Sequence, residues 1–140
     1  MAQDNIRIGV PTLVVKGDKI LLGESNKPGM QKGQYVIPGG GVDFGERLAE
    51  TSEREIFEET NLKIKNTKFF KAYELIKPEK QFHRIFALHV AEWQSGEIKP
   101  SDDLASAGFF TRQEVAKLYA DGKIEKDGPP AWMLKDTGWL

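Results

Sequence analysis

The chain contains no cysteine, so disulfides, thiolate metal sites and a cysteine nucleophile are all excluded. It has only two histidines, His83 and His89; both fall in or beside one predicted strand, without a spacing that would pair them on a metal, and neither is assigned a role. Charge of one sign is not in excess either. The formal net charge of -1 leaves no global footprint for nucleic acid, which is not expected as a main partner. Any affinity for phosphates must therefore be local. Long hydrophobic runs are missing: none approaches the roughly 18 apolar residues of a membrane span, and Met1 to Arg7 lacks the apolar core of a secretory signal. A cytoplasmic protein with no membrane partner is the expectation.

What is present is ordinary for a soluble globular protein. The 140 residues, 39% hydrophobic and 29% charged, fit a single domain spanning 1–140. Ile8 to Val15 is rich in β-branched residues, Lys16-Gly17-Asp18-Lys19 carries turn chemistry, and Ile20 to Gly23 is apolar again, which predicts a β-hairpin. Glu24 to Gln34 holds Pro28, Gly29 and Gly33 among polar residues and reads as an exposed loop. Tyr35-Val36-Ile37 is a short strand, stopped by Pro38 and the glycines that follow. Lys63 to Ile76 and His83 to Trp93 read as two further strands joined by a polar loop at Lys77 to Lys80, and Phe109-Phe110 as one more. Thr111 and Glu114 form a capping box that opens a helix to about Ala120, with Val115 and Leu118 inward. The tail from Asp121, punctuated by Gly122, Gly128, Pro129, Pro130 and Gly138, reads as irregular, tied down by Trp132, Met133, Leu134 and Trp139. The fold class expected is α/β, a mixed sheet flanked by two helices.

The most informative stretch runs from Gly39 to Leu62. A glycine triplet feeds an acidic segment with no proline or glycine from Glu46 to Thr60, and Asp43 and Glu46 stand three apart as in a capping box, so the helix is expected to begin at Glu46. At about 100° per residue, Ala49, Ser52 and Ile56 share the face that packs on the sheet, and Glu55, Glu58 and Glu59 form a stripe along its border, neither deep nor fully outside. Phe57 points away from that face, a candidate subunit contact compatible with a homodimer. Three like charges at i, i+3 and i+4 repel one another, and a hard divalent cation would relieve them. Glycine carbonyls and carboxylates suit magnesium, which takes oxygen ligands and shares them with substrate phosphates. The residue chemistry points to metal-assisted hydrolysis of phosphate esters or anhydrides, set against a solvated acidic face balanced by Arg47, Arg54 and nearby lysines.

The complete spacing decides between them. Gly40, five residues, Glu46, seven residues, then Arg54-Glu55-Ile56-x-Glu58-Glu59 resembles the signature of the Nudix hydrolases, with Asn61 in place of the family's last glycine and Leu62 at its aliphatic position. Asparagine is the residue after glycine that best tolerates the left-handed backbone a helix end requires. The resemblance implies an α/β/α sandwich and hydrolysis of a diphosphate linkage in a nucleoside diphosphate joined to another moiety, foremost a nucleoside triphosphate or related nucleotide. It implies magnesium or manganese held by Glu55, Glu58, Glu59 and the Gly39 carbonyl, with Arg54 paired to Glu46. The general base is either Glu55 of the same segment or a later loop acid, for which Asp103 is chosen over Asp102 and Glu97. Nucleotide sugars, dinucleotides and capped RNA ends remain alternative substrates, and a non-catalytic nucleotide-binding module the alternative function.

Substrate-binding candidates are less defined. Lys27 and Lys32 lie in the loop before Tyr35, where they reach phosphates or simply solvate the loop. A base-stacking wall is sought among Phe69, Phe70, Tyr73, Phe82 and Phe109, with Phe69 and Tyr73 taken as the substrate-binding pair against the alternative that aromatics on strands belong to the core.

Overall fold

The computed structural model describes residues 5–27, 33–101 and 103–140. The expected hairpin is β1 (Arg7–Lys16) and β2 (Lys19–Ser25), and the short strand is β3 (Tyr35–Val36). β4 (Gly39–Gly41) follows, then α1 (Leu48–Thr60), β5 (Lys63–Lys77), β6 (Phe82–Ser95), β7 (Leu104–Thr111), α2 (Arg112–Ala120) and α3 (Pro129–Asp136). Among the described residues seven strands make one mixed sheet in the order β3-β2-β1-β6-β5, with β4 added to β1 and β7 to β2. β1 and β6 run parallel; the remaining pairs are antiparallel.

The period-2 alternation of strand side chains splits the core in two. Leu13, Ile20 and Leu22 face a cluster completed by Val115 of α2 and by Ala131, Met133 and Leu134 of α3. Val14 and Leu21, their neighbours in sequence, face the other side and pack with Ile56 of α1, Leu62, Ile64 and Ala91. The result is the expected three-layer α/β/α sandwich. Ile56 is wholly buried, and truncating such a side chain costs about 2 to 5 kcal/mol. Ser52 is buried as well because its hydroxyl is hydrogen-bonded to that of Thr12 on β1, which ties helix to sheet beside the glycine strand.

Several boundaries differ from expectation for local reasons. α1 begins at Leu48, not Glu46, because Gly45 turns the chain left-handed at φ 84° and the Glu46 carboxylate is drawn to Arg54 and Thr51. Asp43 and Glu46 close a turn in front of the helix, and the reciprocal bond at the true start runs from the Arg47 N–H to Glu50, 2.9 Å. The glycine triplet does not end the sheet but joins it, pairing Gly39, Gly40 and Gly41 with Pro11, Val10 and Gly9. The tail is not irregular: Pro129 and Pro130 occupy the first turn of α3, where the missing N–H has no intrahelical partner to lose. Asn61 ends α1 as expected, left-handed at φ 67°, its N–H donating to the Phe57 carbonyl.

Candidate active site

β4 sits on the edge of β1 with no room for side chains. A Cβ on Gly39 would collide with the backbone of Val10 and Pro11, and one on Gly40 would occupy the position of the Glu55 carboxylate. That carboxylate therefore lies directly over the glycine strand. The packing needs glycine for close approach, not for an unusual backbone angle.

Arg54 is the hub of the helix's acidic face. Its Nε donates to Glu46 Oε2 at 2.7 Å and its Nη2 to Glu46 Oε1 at 3.0 Å, a two-pronged bond that only the planar guanidinium can make. Nη2 also donates to the Gly41 carbonyl at 3.0 Å, fastening helix to glycine strand. Nη1 reaches Glu55 at 2.8 Å and Glu58 at 3.2 Å. Arg54, with the Thr51 hydroxyl adding to it, holds the Glu46 carboxyl down to about 2, and the same bonds raise the guanidinium further above its ordinary range.

The three stripe glutamates do not share one depth. Glu58 is exposed, Glu55 is half-buried, and Glu59 is 5% exposed. The expected border position thus describes Glu55 alone: the sheet edge covers one end of the stripe and leaves the other in solvent. Glu59 accepts one hydrogen bond, from the Gly39 N–H at 3.2 Å, and among the described residues it has no ion-pair partner. Burial pushes its carboxyl up to about 7; Lys27 pulls the other way, and the charges of Glu55 and Asp103 add to the rise.

Glu59 lines a cavity of about 280 Å³ floored by Gly39 to Gly41, with Arg7, Lys27, Arg84 and Asp103 around it. A second cavity of about 660 Å³ shares Lys27, Arg84 and Phe86 with the first and continues between β6 and α3. Of the sequence candidates, the structure brings Lys27, Asp103, Glu59 and Gly39 together around the first cavity. Lys32 and Asp102 lie outside the described residues. Glu97 lines neither cavity; its carbonyl accepts from Asn61 instead.

The structure does not bring the pair Phe69 and Tyr73 to either cavity, whereas Phe82 lines the second. Phe69 is 57% exposed, packs edge-on against His89 and lines neither cavity. Tyr73 is a core residue whose hydroxyl donates to Asp136 of α3 at 2.8 Å. Phe82 lines the second cavity, and Phe86 lines both. Together with Arg84 they alternate along β6, so all three face one side of the sheet. Read as a Phe-x-Arg-x-Phe alternation, the sequence places these three side chains on one face of the strand.

The residues that could hold a cation are all oxygen donors, as a hard divalent ion prefers. Glu59 supplies a buried carboxylate without a countercharge in contact among the described residues, and Gly40 admits Glu55 beside it. These features fit such an ion. Among the described residues, however, no group of three or more metal-type side chains is gathered, since Glu55 and Glu58 are turned to Arg54. A cation would compete with Arg54 for both.

A NUDIX domain family model matches residues 5–132. The ADP-ribose pyrophosphatase of Methanocaldococcus jannaschii is 35% identical over 122 residues, which cover 86% of this chain and 71% of that protein. The NAD-capped RNA hydrolase NudC of Actinobacillus succinogenes is 34% identical over 123 residues, covering 81% of this chain and 45% of its own length. The chain thus spans under half the length of that relative. Among solved structures, the MutT NUDIX hydrolase from Burkholderia pseudomallei superposes with a TM-score of 0.71 at 24% identity, covering 79% of this chain and 86% of that one. At that identity the likeness speaks for the fold.

Proposed function

The chain belongs to the Nudix family of hydrolases, and we propose that it cleaves the diphosphate linkage of a nucleoside diphosphate joined to a second moiety, with ADP-ribose as the first compound to test. The observation that carries this reading is a buried carboxylate, Glu59, in the wall of a cavity lined by three cations, Arg7, Lys27 and Arg84, beside the glycine strand. Such a cavity suits a diphosphate whose charge is shared between fixed cations and a bound ion. The nucleoside triphosphate expected from the sequence remains a comparison substrate. The name of the Methanocaldococcus relative moves the preference toward a diphosphate with a larger second group.

Glu55, Glu58, Glu59 and the Gly39 carbonyl would hold magnesium or manganese, the ions Nudix hydrolases generally use. When bound, such an ion neutralises the diphosphate and lowers the pKa of attached water. The chain's own residues do the rest. Arg7, Lys27 and Arg84 grip phosphate oxygens, and the absence of side chains on β4 lets the phosphates approach the backbone. Asp103, exposed at the cavity, accepts the proton of the attacking water, with Glu55 as the alternative base. Arg54 and Glu46 touch no reacting atom in this scheme; Glu46 holds the guanidinium, which in turn orients Glu55 over Gly40 and reaches Glu58.

Incubation with magnesium and ADP-ribose, followed by product identification, tests the proposal. The expected products are AMP and ribose 5-phosphate. Pyrophosphate released from nucleoside triphosphates alone would replace this substrate class by the triphosphates, and no turnover of any diphosphate compound would leave a nucleotide-binding module.

A further inference from the structure

β5 is the outer strand of the sheet, so one backbone edge of Lys63–Lys77 is unpaired among the described residues. Lys65, Lys68 and Lys71 recur at every third residue, a spacing that in an unbroken strand sends the middle lysine to the opposite face. The register prevents this. Their partners on β6 are Glu92, Val90 and Leu88, two residues apart each time, because the ladder shifts between Lys65 and Lys68 and again between Phe69 and Lys71. Paired residues of an antiparallel ladder share a face, so the two bulges gather all three lysines on one side of the sheet. That side is the one of Leu88 and Val90, away from the acidic helix α1. At about 3.4 Å per residue, the three stand roughly 7 Å apart along the strand.

The stretch from Lys63 to Lys80 holds six lysines against two glutamates, in a chain whose net charge is -1. Lys65 and Lys68 are exposed and, among the described residues, in no ion pair. Lys71 is held by Asp136 at 2.8 Å, yet its side chain stays 55% exposed. Glu92, opposite Lys65, accepts from the Asn66 amide. Between the lysines stand two exposed aromatics, Phe69 and Phe70, and Phe70 is the residue that the second bulge leaves without a ladder partner.

We infer that the β5 edge is a binding surface for single-stranded nucleic acid, with phosphates on Lys65, Lys68 and Lys71 and bases stacked on Phe69 and Phe70. A second copy of the chain is a poor occupant: the bulges break the ladder it would extend, and its lysine row would meet a row of the same sign. A polyphosphate chain has the complementary charge. Phosphates along one strand of a duplex rise by about 3.4 Å, so a strand drawn out of its stack lengthens toward the lysine spacing and frees its bases. Every base has a π-face that an aromatic ring accepts whatever the sequence. Phe69 pairs with His89 on the opposite face from the lysines, so the sugar-phosphate chain follows the row and the bases turn over the outer edge. An acidic peptide satisfies the lysines but leaves both phenylalanines in water. The surface shares no residue with the acidic helix or the glycine strand, and it adds to diphosphate cleavage without depending on it.

Fluorescence anisotropy of a labelled oligothymidylate of about twelve nucleotides, titrated with the metal-free protein, tests this. The probe has no diphosphate linkage, so binding is read without hydrolysis. A dissociation constant below about 100 µM is expected, and log affinity should fall against log salt with a slope near -2, from three contacts at about 0.7 each. Lys68→Gln should weaken binding by about fivefold and flatten that slope by about 0.7. Phe70→Ala should weaken it by about fivefold or more with the slope unchanged, the signature of a lost base stack. Lys117→Gln makes the same change of charge on α2 and should alter affinity by less than about twofold. Circular dichroism melting confirms that each variant is folded. No binding by the unaltered protein, an equal loss in Lys117→Gln, or displacement by polyglutamate as readily as by unlabelled oligothymidylate would each overturn the inference. So would a dimer in sedimentation that Phe70→Ala dissolves, since the edge would then belong to a second copy.

Discussion

The carboxylate of Glu55 fills the space that a side chain at Gly40 would occupy. The helix's acidic face and the glycine strand are thus one unit, held in place by the Arg54 bond to the Gly41 carbonyl. Gly39 is constrained differently, since a Cβ there would meet the backbone of Val10 and Pro11, which cannot turn aside.

The two glycines should separate activity from stability. In Gly40→Ala the Glu55 side chain can rotate away, so the fold survives and turnover falls by about 100-fold, the usual cost of displacing a reacting group by about 1 Å. Gly39→Ala should instead lower the melting temperature sharply, because backbone pairing between β1 and β4 has to open. Similar melting temperatures in both variants would contradict this division.

The Arg54–Glu46 pair carries a pH signature. The folded-state pKa of Glu46, about 2, is below its ordinary value of 4.5. With the native state binding fewer protons than the unfolded chain, stability from this group is complete above about pH 4.5 and is lost as pH falls toward 2. Glu46→Gln cannot titrate, so its melting temperature should fall less steeply between pH 4.5 and pH 2 than that of the unaltered protein. Parallel curves would show that the pair contributes no acid-linked stability. Arg54→Lys should also lower stability at neutral pH, since a lysine cannot reproduce the two-pronged bond.

Much of this architecture was legible from residue order. The β1–β2 hairpin, β5, β6, α1 and α2 each carry a local signal: period-2 alternation, a turn, or the Thr111–Glu114 box. β4 carries none, because three glycines have no strand preference of their own and acquire one only by pairing with β1. α3 was hidden by Pro129 and Pro130, which read as breakers although they are tolerated in a first turn. In the site, spacing grouped Glu55, Glu58 and Glu59 on one side of a helix, but their depths depend on where the sheet edge falls, which is tertiary information. The same holds for Tyr73: its alternation fits core and ligand wall alike, and only the docking of α3 through Asp136 assigns it to the core.

Asn61 departs from the family pattern, and its φ of 67° explains what the position requires. Asn61→Ala should cost about 1 kcal/mol, because a Cβ without a compensating side chain is disfavoured in the left-handed region. It also removes the 3.2 Å bond to the Glu97 carbonyl. Asn61→Gly should lose that bond but relieve the backbone, leaving stability closer to that of the unaltered protein. Chemical denaturation of both variants checks the order; an alanine variant as stable as the glycine one would remove the backbone argument.

Glu59 offers the sharpest test of the cation site, because its structural and ligating roles pull in opposite directions. Its carboxylate is buried, and burial opposes its charge. Glutamine at this position keeps an oxygen to accept from the Gly39 N–H and carries no charge to desolvate. The metal-free protein should therefore be as stable in Glu59→Gln as in the unaltered chain, or more so. Added manganese or magnesium at about 100 times its dissociation constant should stabilise the unaltered protein by about 2.7 kcal/mol, a shift of about 5 to 10 °C at this size. In Glu59→Gln most of that shift should vanish, and hydrolysis should fall by orders of magnitude with it. Glu58→Gln, which alters an exposed carboxylate, should lose activity similarly while leaving the metal-free melting temperature unchanged. A full metal-induced shift in Glu59→Gln would place the cation elsewhere, and unchanged metal-dependent hydrolysis in both variants would remove the whole stripe from the site.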